Sequence, residues 1–201
     1  MPSKAALAAA HAAKDKGSQN DAVLKKCGDH ARRKVDELFQ GTGIELESSR
    51  LIANTPKFDK KELRVGRVLG RGAFGVVREV SGITIEHVST HKSDRTIRVR
   101  DSDEDIYSED TEDKQYMSAN YLRKEKNHKG EARYAVKQVC ADAKTDPAKF
   151  IQALMDFSVE TRFLSVLQHP GIINMRAISS GDPFDKDYFI VLDRLYDTLE
   201  K

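Results

Sequence analysis

The sequence has no tryptophan, only two cysteines and five prolines, and no long apolar run. Cys27 and Cys140 are far apart and belong to no C-x-x-C motif. This excludes a disulfide scaffold and a cysteine-based zinc site, and it suits a reducing compartment. No apolar stretch approaches the roughly 18 residues that a membrane helix needs, and the alanine-rich residues 1–13 lack the apolar centre of a secretory signal. We therefore expect a soluble cytoplasmic protein without membrane attachment, with a nuclear location left open.

Excess charge of one sign is also absent, because 34 Lys and Arg face 32 Asp and Glu, a formal net charge of +2. Such a balance gives no basis for binding nucleic acid or an anionic membrane, so neither partner is expected. The length of 201 residues allows one domain with tails. Charged residues make up 33% of the chain, above the roughly 25% of an average domain. We therefore expect a core that does not extend along the whole chain.

Residues 1–57 are interpreted as an N-terminal extension. Its first part is rich in alanine and favours helix, and a second short helix is predicted over 31–40. Because few of these residues are strongly apolar, nothing in the pattern predicts an anchor. We expect a helical or disordered, mobile extension.

Residues 81–131 are interpreted as a disordered insertion. Eight acidic residues fall within 101–113, and a basic block follows that contains Arg123, Lys124, Lys126 and Lys129. Such blocks bury too little apolar surface to offset the entropy of ordering. Ser102 and Ser108 precede acidic residues and are candidate phosphorylation sites, although a merely solvated loop is the simpler interpretation.

The rest of the chain alternates strand patterns with one long helix, which predicts an α+β fold. The predicted elements are a strand–turn–strand unit over 62–80, a strand over 134–140, a helix from Asp146-Pro147 to about Gln168, and strands over 172–178 and 188–192. Asp146 is expected to cap the helix, with Pro147 in its first position.

A glycine-rich motif lies in the turn of the first unit. Gly70, Gly72 and Gly75 form G-x-G-x-x-G, and Val77 extends it to G-x-G-x-x-G-x-V. Glycines let a backbone approach phosphate closely. The dinucleotide-binding version requires a helix after the glycines, whereas a strand follows here, as in hairpins that cover nucleotide phosphates. An ordinary glycine-rich hairpin is the alternative.

Lys137 and Glu160 are the predicted charged pair. Lys137 lies in an apolar strand, where burial is costly without a counter-charge. Glu160 is the acid on an otherwise apolar helical stripe, whose other members are Phe150, Leu154, Phe157, Leu164 and Leu167. An inward acid needs a cation partner, and Lys137 can supply it. An exposed strand lysine and a solvated glutamate are the alternatives.

In this order the motifs resemble the N-terminal lobe of the eukaryotic protein kinases, over about 58–80 and 132–201. The resemblance implies an antiparallel sheet packed against the αC helix of the family, and ATP as the ligand, with Mg held by the other lobe. Leu192 would then be the gatekeeper, and backbone groups of Asp193 and Leu195 would face adenine. The implied nucleotide-binding residues are Leu69, Gly70, Gly72, Gly75, Val77, Ala135, Lys137, Glu160, Leu192, Asp193 and Leu195.

Two departures from the family pattern matter. The insertion 81–131 separates the glycine motif from Lys137, which a loop tolerates because closure entropy grows slowly with length. The sequence also has no H-R-D-x-x-x-x-N and no D-F-G; the run Asp156-Phe157-Ser158 is a chance near-match that precedes Glu160. We therefore expect no catalytic residue in this chain.

The interpretation is an incomplete kinase domain, 58–201, whose C-lobe is absent from the chain. The resemblance implies that the complete enzyme would phosphorylate proteins. Ser and Thr are the expected targets, and Tyr is the alternative. A non-catalytic, truncated kinase-like interaction module is the alternative. Association between molecules through an exposed cleft face is also expected.

Overall fold

The computed structural model describes residues 4–85, 109–124 and 129–196. In these ranges the protein is an α+β structure. The α-helices are α1 (Lys4–Phe39), α2 (Gly43–Ala53), α3 (Glu109–Ala119) and α4 (Pro147–Val166). The strands are β1 (Lys57–Phe58), β2 (Leu63–Arg71), β3 (Gly75–Ile83), β4 (Tyr134–Val139), β5 (Met175–Ser179) and β6 (Phe189–Asp193). None of the helices described combines the length and the apolar character that crossing a membrane requires.

The six strands form one sheet in the order β1-β5-β6-β4-β3-β2. All neighbouring pairs are antiparallel except β1 and β5, which run parallel with Lys57 opposite Ile178. The expectation of a purely antiparallel sheet is therefore wrong at this edge. The amide of Ile178 donates to the carbonyl of Pro56 at 2.9 Å, so the segment that leaves α2 adds itself to the sheet.

The predicted hairpin, the strand before the long helix and the helix itself are confirmed. The Asp146 carboxylate accepts from the amides of Ala148 and Lys149, and Pro147 occupies the first turn of α4. The later boundaries move by a few residues: α4 ends at Val166, and β5 and β6 begin later than expected. The amide of Ile172 donates to the carbonyl of His169, which forms a turn where the β5 strand was predicted to begin.

The two faces of the sheet are covered by different helices. On one face, Ile178, Ile190 and Leu192 form a cluster with Phe157 of α4. On the other face, apolar residues of all six strands form a second cluster with Met117 of α3. The sheet is therefore the middle layer between α4 and a helix from the predicted insertion.

Disorder throughout 81–131 is wrong for the described part of that range. Strand β3 continues to Ile83, and α3 packs with Met117 only 4% exposed. The Lys114 ammonium lies 3.0 Å from both carboxylate oxygens of Glu62, which is 5% exposed. Lys114 and Met117 share one side of α3 at i and i+3, a pattern that the average charge of the block conceals. Ser102 and Ser108 lie outside the described residues, and their modification stays a prediction.

The expectation of an unanchored N-terminal extension is also wrong. Along the second half of α1, apolar side chains recur every three or four residues and are buried against α4: Leu24, Cys27, Ala31, Val35 and Phe39. The helix predicted over 31–40 is the end of this longer helix. Small side chains at two of the five positions suit close helix packing, whereas they contribute little to a hydrophobicity average.

Candidate nucleotide site

A cleft of about 440 Å³ lies between the β2–β3 hairpin and α4. Residues 70–75 and Val77 form its hairpin side, and Lys137 of β4 lies at its base. Helix α4 contributes the remaining wall with four residues, which are Ala153, Asp156, Phe157 and Glu160. The cleft therefore joins the two motifs that the sequence presents far apart.

The glycine turn is held close to β4 by backbone contacts. The amide of Gly72 donates to the carbonyl of Gly75 at 2.8 Å, and the amide of Cys140 donates to the carbonyl of Phe74 at 2.9 Å. A β-carbon at position 75 would lie 3.4 Å from Cε of Lys137. The lysine side chain therefore passes directly beneath the glycine turn, within van der Waals distance of a side chain at position 75.

Strand register places Lys137 on the face that α4 covers. Lys137 is paired with Val77 on one side and Ile190 on the other, and paired residues of neighbouring strands share a face. The lysine side chain is 26% exposed and forms a hydrogen-bonded ion pair with Oε2 of Glu160, whose side chain is 34% exposed. The predicted pairing of these two residues is confirmed.

The exposure of the pair limits what it contributes to folding. Ion pairs open to solvent are typically worth about 0–1 kcal/mol, and this pair lies between that case and full burial. An ammonium group has three donors, of which Glu160 takes one. The ion pair therefore contributes more to holding the Lys137 ammonium group beside the glycine turn than to the stability of the fold.

Six of the predicted binding residues line this one cleft: Gly70, Gly72, Gly75, Val77, Lys137 and Glu160. The other five are not part of its lining. They are Leu69, Ala135, Leu192, Asp193 and Leu195.

Four of these five residues lie in β4, in β6 or just after β6. Ala135 and Leu192 are paired across β4 and β6, and they are 3% and 5% exposed. The Asp193 carboxylate accepts from Arg176 at 2.8 and 2.9 Å. The Leu195 side chain is 69% exposed. The cleft lining thus contains the glycine turn, Val77, Lys137 and Glu160, and it lacks the other five predicted binding residues.

Asp156 is a cleft residue that the motif analysis missed. It lies one turn before Glu160 on α4, lines the same cleft and accepts a hydrogen bond from Gln152 at 2.7 Å. Its i, i+4 spacing from Glu160 could have predicted its place in the cleft, because residues with this spacing lie on the same side of a helix. It places a second carboxylate at the wall of the cleft.

Within residues 4–85, 109–124 and 129–196, no group of three or more His, Cys, Asp or Glu side chains could hold a metal ion. No protein-family model matches the chain, and no curated protein shows significant similarity to it.

Proposed function

We propose that this chain is the ATP-binding N-lobe of a protein kinase, which, together with a C-lobe, phosphorylates Ser or Thr on protein substrates. The observation that carries the proposal is the Lys137–Glu160 ion pair at the base of a cleft whose opposite wall is a G-x-G-x-x-G hairpin. Each motif alone is weak evidence for nucleotide binding. Together they place backbone N–H groups and an ammonium group on one cleft, and these are the groups that bind nucleotide phosphates.

The chemistry assigned to the cleft is electrostatic. Glu160 orients the ammonium group of Lys137, whose other N–H donors are directed to phosphate oxygens. Backbone N–H groups of the turn can approach the same phosphates because the glycines add no side chain there. The chain supplies nucleotide positioning, and Mg is assigned to the other lobe.

Transfer of the phosphoryl group needs more than this cleft. A base beside the substrate hydroxyl and ligands for Mg are essential parts of kinase catalysis. The sequence contains neither an H-R-D nor a D-F-G motif. We therefore expect nucleotide binding by the 201-residue chain and no phosphorylation of a protein by the chain alone.

A double-mutant cycle on the affinity for a fluorescent, non-hydrolysable ATP analogue tests the proposal. Lys137→Met and Glu160→Gln should each weaken binding, and the pair should be non-additive by about 0.5–3 kcal/mol, the usual range for residues in direct contact. Lys149→Met is the matched control, because Lys149 is an exposed lysine of α4 outside the cleft lining. Binding that is unaffected by Lys137→Met would refute the proposed site.

A second candidate is a non-catalytic, kinase-like interaction module that does not bind nucleotide. The observation in its favour is that Ala135 and Leu192 are buried, so that neither side chain is open to contact an adenine ring. A folded chain that fails to bind the analogue at millimolar concentration would support this candidate over the first.

A further inference from the structure

The side of α4 that faces away from the cleft is attached to α1. At 3.6 residues per turn, Arg162 points about 200° away from Glu160 around the helix. Its guanidinium pairs with the carboxylate of Asp36 on α1 at 2.9 Å and lies over the ring of Phe39, 4.8 Å from the centroid. Phe39 also meets Phe163 edge to face, with centroids 5.9 Å apart. These four side chains form a clasp, which joins the end of α1 to the turn of α4 that follows Glu160.

A shared apolar cluster continues from the clasp toward the glycine turn. Ala31 and Val35 of α1 are fully buried in the same cluster as Phe150 and Leu154 of α4, which are 0% and 1% exposed. Phe74, in the glycine turn, packs against that cluster. Helix α1 is therefore connected by packing to both walls of the cleft without lining it.

Helix α4 depends on this support for its position. Its contacts with α1 and α2 are more extensive than its contacts with any strand of the sheet. If α1 were to leave, the apolar residues Phe150 and Leu154 would lose their contact with Ala31 and Val35, and α4 would lose one of the two helices that hold it. An element held by two helices changes its conformational populations when one of them is displaced.

We propose that docking of α1 on α4 holds Glu160 against Lys137 and thereby sets the affinity of the cleft for ATP. This inference rests on the proposed nucleotide-binding function. Asp36 and Phe39 are positioning residues in this scheme, because they act through α4 and do not touch the cleft. Helix α1 is then an activating element within the chain, and any event that removes it from α4 lowers nucleotide affinity.

A charge-reversal series on the full chain tests the inference. Asp36→Arg places two cations together at the clasp and should displace the end of α1. Glu37→Arg is the matched control, since it makes the same change at the next residue, whose ion-pair partner Lys34 also lies on α1. Adding Arg162→Asp to Asp36→Arg restores the pair with reversed polarity, so a rescued phenotype identifies the contact and not general damage to the fold.

Affinity for the ATP analogue and amide hydrogen exchange in α4 are the two readouts. Asp36→Arg should weaken binding by about fivefold or more, the lower end of couplings between distant sites, and should speed exchange near Glu160. The double reversal should recover both, and Glu37→Arg should match the unmodified chain. Loss of binding in Lys137→Met but not in Asp36→Arg overturns the inference and leaves the proposed function standing. If the unmodified chain does not bind the analogue, both fail.

Discussion

The ion pair between Lys114 and Glu62 makes a quantitative prediction about the segment interpreted as a disordered insertion. Lys114→Met keeps most of the aliphatic stem and removes the charge from a side chain that is 15% exposed. Glu62 is then left buried, with the amide of Asp59 at 2.7 Å as its remaining described hydrogen bond. Removing one partner of a buried pair costs about 3–5 kcal/mol. Because Lys114 is partly exposed and one hydrogen bond survives, we expect about 2–3 kcal/mol here.

Equilibrium unfolding in urea at pH 7, followed by circular dichroism, measures this loss. In a domain of this size, each kcal/mol corresponds to about 2–4 °C in Tm, so thermal unfolding provides a second measure. Lys124→Met removes an exposed lysine of the same segment and should change stability by less than about 0.5 kcal/mol. Adding Glu62→Gln to Lys114→Met should recover part of the loss, because the orphan carboxylate disappears. Equal stability of the two lysine variants would refute the reasoning.

Two other predictions concern the packing of α1, whose apolar cluster includes Cys140 as well as Cys27. A β-carbon at Gly28 would lie 2.5 Å from the backbone oxygen of Phe184, so Gly28→Ala should lower Tm although alanine favours helix by about 1 kcal/mol. Gly43→Ala is its control, since a β-carbon there would meet no atom within 4 Å apart from its chain neighbours and the backbone of its own helix. An equal effect of both changes would contradict the prediction. Cys27 and Cys140 are each 6% exposed, and burial raises the pKa of the Cys27 thiol. Both thiols should react with a disulfide reagent only after unfolding, and prompt labelling of the native protein would show the packing of α1 to be wrong.

The central part of the fold was predictable because its signals are local. Asp146-Pro147 marks the start of α4 through capping, and the glycines mark the hairpin turn through backbone freedom. The pairing of Lys137 with Glu160 followed from one further argument, the cost of an unpaired charge on an inward stripe. Each inference needed only a few neighbouring residues and one physical rule.

The two segments that cover this central part were not predictable in the same way. The buried face of α1 includes Ala31 and Cys27, whose burial depends on how closely α4 approaches and not on their own hydrophobicity. Helix α3 places Met117 and Lys114 on the sheet from within a charged block, where composition favours disorder. Both errors arise because tertiary contacts supply what local sequence averages lack.

Helices α1 and α3 are both part of the folded unit, because each covers an apolar cluster on one face of the sheet. Without these two helices, segments 58–80 and 132–196 leave apolar residues uncovered on both faces of the sheet. Val136 is 2% exposed in the cluster that Met117 of α3 completes, and Leu154 is 1% exposed in the cluster that α1 completes. Removing either helix would therefore open one of these clusters to water, at about 25 cal/mol for each Å² of apolar surface exposed. We infer that the unit that folds includes both helices, and that a protein shortened to segments 58–80 and 132–201 would associate or unfold before ligand binding in the cleft could be assayed.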